Sequence, residues 1–208
     1  MASLLRLYTD FVCPFCFIAE QSTVPRLLAE FELELDWCGF ELHPSTPPGG
    51  VPLSRLFPNA PLPAMHERTK QFAASFGVTG FDPPDWLWNS RKALAIAEYA
   101  RDAGKLEPFR QIVMNAHWRE GKSLERDEDL GAMAAGAGLD VQGALAASTD
   151  ATLLARVDAR QEDARRHGVR GIPTFVFGSL TVVGCQPYAA LAATAERAGV
   201  ARRSGTSG

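Results

Sequence analysis

Leu4-Leu5-Arg6-Leu7-Tyr8-Thr9-Asp10-Phe11-Val12-Cys13-Pro14-Phe15-Cys16 carries a short apolar run into a helix-like stretch, with a cysteine pair at the junction. Residues 3 to 9 read as a strand, and residues 14 to 31 as a helix bearing Ile18, Leu27, Leu28 and Phe31. Two cysteines three residues apart in the first turn of a helix face one side, close enough for their sulfurs to join without backbone movement. Orphan N–H groups and the positive end of the helix dipole stabilise a thiolate there, lowering a cysteine pKa from about 8.5 to as little as roughly 3.5–7.5. Cys13 is placed where that field is strongest, and Pro14 suits a first helical position because no N–H is needed there. Metal binding, a structural disulfide and redox chemistry all remain open to such a pair. Structural zinc wants four ligands, commonly including a second close pair, whereas Cys38 and Cys185 stand alone. Haem attachment wants histidine after the second cysteine, and residue 17 is Phe. Redox chemistry is the favoured reading.

Outward from this stretch, Pro25 should interrupt the helix, with a kink near Ser22 to Val24. Leu33 to Phe40 alternates apolar positions as a strand does, completing a βαβ unit whose strands should be parallel neighbours. Residues 44 to 63, rich in proline and glycine, read as extended loop. From about 64 to 167 the pattern is helical without strand signals, clearest at Ala93, Ile96, Ala97 and Ala100. Gly77, Gly104, Gly121 and Gly138 lie where helices should end. Residues 173 to 178 and 180 to 184 read as a hairpin, followed by a helix at 187 to 199. The expected fold is α/β: one sheet domain (1–45 and 165–203) split by an all-helical insertion (46–164), with a disordered tail at 204–208.

The chain has 208 residues and a net charge of −3, which gives no electrostatic reason to expect nucleic acid or an anionic membrane as partner. No apolar run approaches the roughly 20 residues of a membrane span, and Arg6 interrupts the only N-terminal candidate for a signal segment. Four cysteines do not make a disulfide scaffold, so a cytoplasmic setting with reduced thiols is expected.

Six fragments together resemble the thioredoxin superfamily, its DsbA-like branch, and within that the FrnE-type oxidoreductases. They are Asp10 to Cys16, Phe40-Glu41-Leu42-His43-Pro44, Asn89-Ser90-Arg91, Ala137-Gly138-Leu139-Asp140, Gly168 to Thr174, and Gly184-Cys185-Gln186-Pro187, in order over residues 3 to 198. The resemblance implies a thioredoxin-like fold, Cys13 as attacking cysteine, Cys16 as resolving cysteine, and Pro173 as a cis-proline lying against them. A cis bond would present the Ile172 backbone to an extended substrate, with Pro14 and Phe15 beside it. The best-known oxidase of the branch has histidine where this chain has Phe15. A phenyl ring gives a thiolate neither charge nor N–H, so a less oxidising couple is expected.

Other residues have plainer readings. Cys38 on a buried strand is read as a small apolar core residue. Cys185, at a strand end, has a third active-site thiol or regulatory disulfide as its minor reading. His43, His66, His117 and His167 show no metal spacing; no metal is expected. His117 beside Trp118, and Asn89 by resemblance, are candidate substrate contacts, although Asn89 and Ser90 could equally cap the next helix. His167 suits a helix C-terminus as a cation. Glu162 and Arg166 are read as an i, i+4 pair, and Trp37, Trp86, Trp88 and Trp118 as filling the interface between the two subdomains.

The expected function is thiol-disulfide exchange with a protein or small-molecule partner, using no cofactor beyond the Cys13–Cys16 couple, with glutathione admissible as co-substrate. Two rivals accompany it. In glutathione-dependent isomerases resembling 2-hydroxychromene-2-carboxylate isomerase, a serine typically replaces Cys13, and a resolving thiol such as Cys16 would have no use. The other is a non-enzymatic binding or chaperone module.

Overall fold

The computed structural model describes residues 2–204; of the tail read as disordered, residues 205–208 lie outside the described residues. Strand β1 (Ser3–Thr9) leads through a tight turn into α1 (Pro14–Gln21) and α2 (Thr23–Glu30), and β2 (Leu33–Gly39) returns parallel to β1 with Leu7 opposite Trp37. The expected single helix is two. Proline as the third residue of α2 has no N–H for the carbonyl four residues back and its ring crowds that carbonyl, so the chain leaves helical geometry at Ser22 (φ −124°, ψ −75°). The Ser22 and Thr23 hydroxyls donate to the carbonyls of Ile18 and Ala19 across the break.

Residues 44–63 are not all loop. Strand β3 (Val51–Pro52) and the single turn α3 (Leu53–Leu56) form within them, and α4 (Leu62–Ser75) begins before residue 64. The stretch from 64 to 167 also contains a short strand, β4 (Trp86–Leu87), which pairs antiparallel with β3. Two residues are too few for alternation to register in a sequence, and the pairing takes its partner from a distant loop. The remaining helices are α5 (Arg91–Asp102), α6 (Leu106–Glu120), α7 (Asp127–Gly136), α8 (Val141–Ala147) and α9 (Ala151–Arg166). Gly121 ends α6 in the left-handed conformation (φ 66°) that a Cβ would strain. On α9 the pairs are Arg165–Glu162 and Arg166–Asp163, each 3.2 Å and three residues apart, rather than Glu162–Arg166.

The hairpin β5 (Thr174–Phe177) and β6 (Leu180–Val183) then completes a four-stranded sheet ordered β2-β1-β5-β6, with β5 antiparallel to both β1 and β6, and α10 (Tyr188–Arg197) follows. β5 is buried throughout, as a central strand with both faces covered should be, while β6 alternates at the edge. Helices α2 and α10 pack together, and α9 lies against β2 and α5. The result is a mixed α/β thioredoxin-like fold with a helical insertion. Trp37 and Trp118 are buried; Trp86 is 38% exposed, so it is not interface filling. Among the described residues no helix is long and apolar enough to cross a membrane.

Candidate active site

Cys13 caps α1. Its backbone is extended (φ −95°, ψ 114°), its carbonyl accepts from Cys16 N and Phe17 N at 3.1 Å, and its Sγ accepts from Cys16 N at 3.3 Å. That bond satisfies a helix donor left over at the N-terminus and directs an N–H dipole at the sulfur. The turn before it is closed by Cys13 N donating to Asp10 O at 3.2 Å. On the other side of the sulfur, the Cys13 thiol faces the Ile172 carbonyl oxygen at 3.8 Å, and the Ile172–Pro173 peptide bond is cis. The chain thus brings Cys13, Cys16, Ile172 and Pro173 together across about 160 residues of sequence.

The two cysteines differ in environment. Cys16 is fully buried, and burial followed by its hydrogen bond with Cys13 holds its thiol well above the ordinary cysteine range. Phe15 is 43% exposed and packs edge-on against Phe72 of α4, ring centroids 5.4 Å apart. Asp10 is buried with Oδ2 accepting from Leu42 N at 2.8 Å and Oδ1 unpartnered, and burial raises its carboxyl to about 7.

Beside Pro14 and Phe15 opens a largely apolar cavity of about 350 Å³. Leu53, Leu56 and Phe57 close it on one side, Met65 and His66 of α4 on another, and Trp86 and Leu87 of β4 on a third. His117 and Trp118 of α6 line its inner wall. His117 is buried, its Nδ1 pairs with the Lys122 carbonyl at 3.0 Å, and burial lowers it to about 4, so it is a neutral imidazole at neutral pH. Trp118 Nε1 donates to Phe11 O at 2.8 Å, fastening α6 to the turn that carries the cysteines.

Asn89 is elsewhere. Its Oδ1 accepts from Arg91 N at 2.9 Å and its Nδ2 donates to Thr46 O at 2.6 Å, so it fixes the entry to α5 and lines no part of the cavity. Ser90, by contrast, makes no side-chain cap. His43 and His66, which spacing had left scattered, join His117 in the cavity wall; the signal that could have found His43 is its place next to Leu42, whose N–H binds Asp10. Cys38 is buried, its thiol pushed up to about 12 by burial and next by Asp36, and it donates to the Asp36 carbonyl at 3.6 Å. His167 caps α9 and pairs through Nδ1 with the Asp163 carbonyl. Among the described residues no three His, Cys, Asp or Glu side chains cluster as metal ligands would.

Known proteins resemble this chain in sequence and in fold. A Bacillus subtilis (strain 168) protein, YwbO, is 25% identical over 197 residues, covering 86% of this chain and 89% of YwbO. The structure of the probable DsbA oxidoreductase SCO1869 from Streptomyces coelicolor superposes with a TM-score of 0.85 at 23% identity, covering 94% of this chain and 89% of that one. 2-Hydroxychromene-2-carboxylate isomerase follows at 0.71 and 20% (93% and 95% covered), and the cytosolic disulfide reductase DsbM from Pseudomonas aeruginosa, solved with glutathione, at 0.68 and 21% (93% and 99% covered). At these identities the structural likenesses are likenesses of fold. The sequence itself matches the DsbA-like thioredoxin domain over residues 5–196, and the chain belongs to that family.

Proposed function

We propose that this protein is a thiol-disulfide oxidoreductase in which Cys13 is the nucleophile and Cys16 the resolving thiol. The observation that carries the reading is the position of Cys13 Sγ, at a helix N-terminus between the Cys16 N–H and the Ile172 carbonyl of the cis-Pro173 loop. The Cys13 thiolate attacks a substrate disulfide, one substrate sulfur leaves as thiolate, and a mixed disulfide forms. Cys16 then attacks Cys13 Sγ, loses its proton to the departing sulfur, and releases the reduced substrate. Burial keeps Cys16 a thiol until that second step, which orders the two attacks. In the reverse direction the oxidised pair accepts a substrate thiol by the same path.

Ile172 offers its backbone to substrate, and Pro14, Phe15 and His117 border the cavity where an apolar substrate group fits. Asn89 is left out of this proposal. Glutathione and protein thiols are both admissible partners, and the likeness to a structure solved with glutathione supports the first. A cytoplasmic setting belongs to the proposal on the same likeness. The fold also serves an isomerase, but two thiols at the helix start, where that chemistry needs none, favour disulfide exchange.

Insulin reduction with dithiothreitol as electron source tests the reading. The wild type should accelerate precipitation of the insulin B chain, and Cys13→Ser should reduce the rate to background. Equal activity in wild type and Cys13→Ser would overturn it and leave a binding module.

A further inference from the structure

The segment Gly184-Cys185-Gln186 carries a thiol that the two-cysteine mechanism does not use. The hairpin fixes its position. Thr174 pairs with Val183, Gly184 N donates to Pro173 O at 2.7 Å, and a Cβ on Gly171 would meet Val183 Cγ1 at 3.8 Å. The end of β6 therefore lies along the loop Gly171-Ile172-Pro173, and Cys185 follows directly on the residue bonded to Pro173. From the other side, Cys13 Sγ lies 3.8 Å from the Ile172 carbonyl oxygen. Cys13, through its sulfur, and Cys185, through the backbone of the residue before it, thus flank one three-residue loop. Burial pushes the Cys185 thiol up to about 12, and Cys13 adds to the rise. Cys185 is also the more accessible of the two thiols near Cys13: Cys16 is fully buried, whereas Cys185 is half-buried against the core edge.

We propose that Cys185 is a third redox thiol of this site, able to displace a bound partner from Cys13. The proposal rests on the reading of Cys13 as nucleophile. Glutathione disulfide oxidises Cys13 to the mixed disulfide, releasing one glutathione thiolate. The Cys185 sulfur, giving up its proton, then attacks Cys13 Sγ. The Cys13–Cys185 bond forms, the Cys13–glutathione bond breaks, and glutathione leaves as a thiolate that takes up the proton; Cys185 is oxidised and the glutathione sulfur reduced. Forming the mixed disulfide removes the charge on Cys13, and with it one of the two influences that keep Cys185 protonated.

The test compares reduced wild type, Cys16→Ser, Cys16→Ser/Cys185→Ser and Cys16→Ser/Cys185→Ala after mixing with glutathione disulfide, acid quenching and peptide mapping by mass spectrometry. Cys16→Ser should lose its glutathione adduct with time and gain a peptide cross-linked through Cys13 and Cys185, while both double variants keep the adduct. An adduct that persists in Cys16→Ser as long as in the double variants, or a cross-link from Cys13 to Cys38, overturns the proposal. The wild type separates the two possible failures. If it forms neither adduct nor Cys13–Cys16 disulfide, the redox reading fails and the third thiol with it. If it forms that disulfide while Cys16→Ser holds its adduct, only the role of Cys185 fails.

Discussion

Phe15 stands between the two cysteines, half exposed and edge-on to Phe72, where it supplies the Cys13 sulfur with neither a positive charge nor an N–H. A reduced couple is favoured by whatever stabilises its thiolate, and each 1.4 kcal/mol of that stabilisation raises the potential by about 30 mV. Phe15→His should therefore make the couple more oxidising by some tens of millivolts, an effect strengthened below the imidazole pKa. Equilibration against glutathione buffers reads it directly, and an unchanged or lower potential in the variant would show that the residue between the cysteines does not tune them. The side chain is at the cavity rim and not in the core, so the substitution leaves the packing of α1 intact.

At the scale of elements, Asp10 joins the turn after β1 to the chain leaving β2, because its Oδ2 holds Leu42 N while Oδ1 has no partner. In the fold this carboxyl keeps its proton to about pH 7, against 3.8 in the ordinary range. Over that window the folded state binds more protons than the unfolded, so the stability Asp10 contributes is fully present below 3.8 and is lost as pH rises through about 7. Asp10→Asn has no such proton to lose. Relative to wild type, its melting temperature should rise progressively between about pH 4 and about pH 7 and level off above; two parallel profiles would contradict the assignment, since neighbouring Glu41, also raised by burial, is present in both proteins. Asp10 also shows where a sequence stops being legible. The strands of the four-stranded sheet, the cysteine turn, the Ser22 break and the hairpin before α10 each follow from local signals: alternation, a proline, a cap. That the carboxylate beside the motif is buried with one oxygen on Leu42 N and the other unpartnered depends on Leu42, a residue 32 positions away beyond β2.

Across the whole molecule the same distinction governs the site. The order βαβ, helices, ββα specifies the fold because the elements of the four-stranded sheet and the long helices announce themselves locally, and the cysteines and Pro173 come together once that order is granted. The cavity does not announce itself: beyond Pro14 and Phe15, its walls include His43, Leu53 to Phe57, Met65 and His66, Pro83 to Leu87, and His117 and Trp118, pieces far apart in the sequence. Glu20 and Arg110 are hidden for the same reason. Each reads as a charged helix position, yet both are at most 2% exposed and 2.5 Å apart, Glu20 on the helix of the cysteines and Arg110 on α6. Thr9 of β1 donates to Glu20 Oε1 at 2.8 Å and Trp37 of β2 to both carboxylate oxygens at 3.1 and 3.2 Å, while Glu107 also binds Arg110. One carboxylate thus ties β1, β2 and α1 to the helical insertion. Removing only the cation strands that carboxylate in the core, so Arg110→Met should cost about 3–5 kcal/mol in urea unfolding. Removing both charges does not, and Glu20→Met/Arg110→Met should be less destabilised than the sum of the single variants by roughly 1–3 kcal/mol. Additive losses would mean that the pair does not couple the two halves. Because α1 carries Cys16 and is capped by Cys13, the same three variants should order in disulfide-exchange activity as they do in stability.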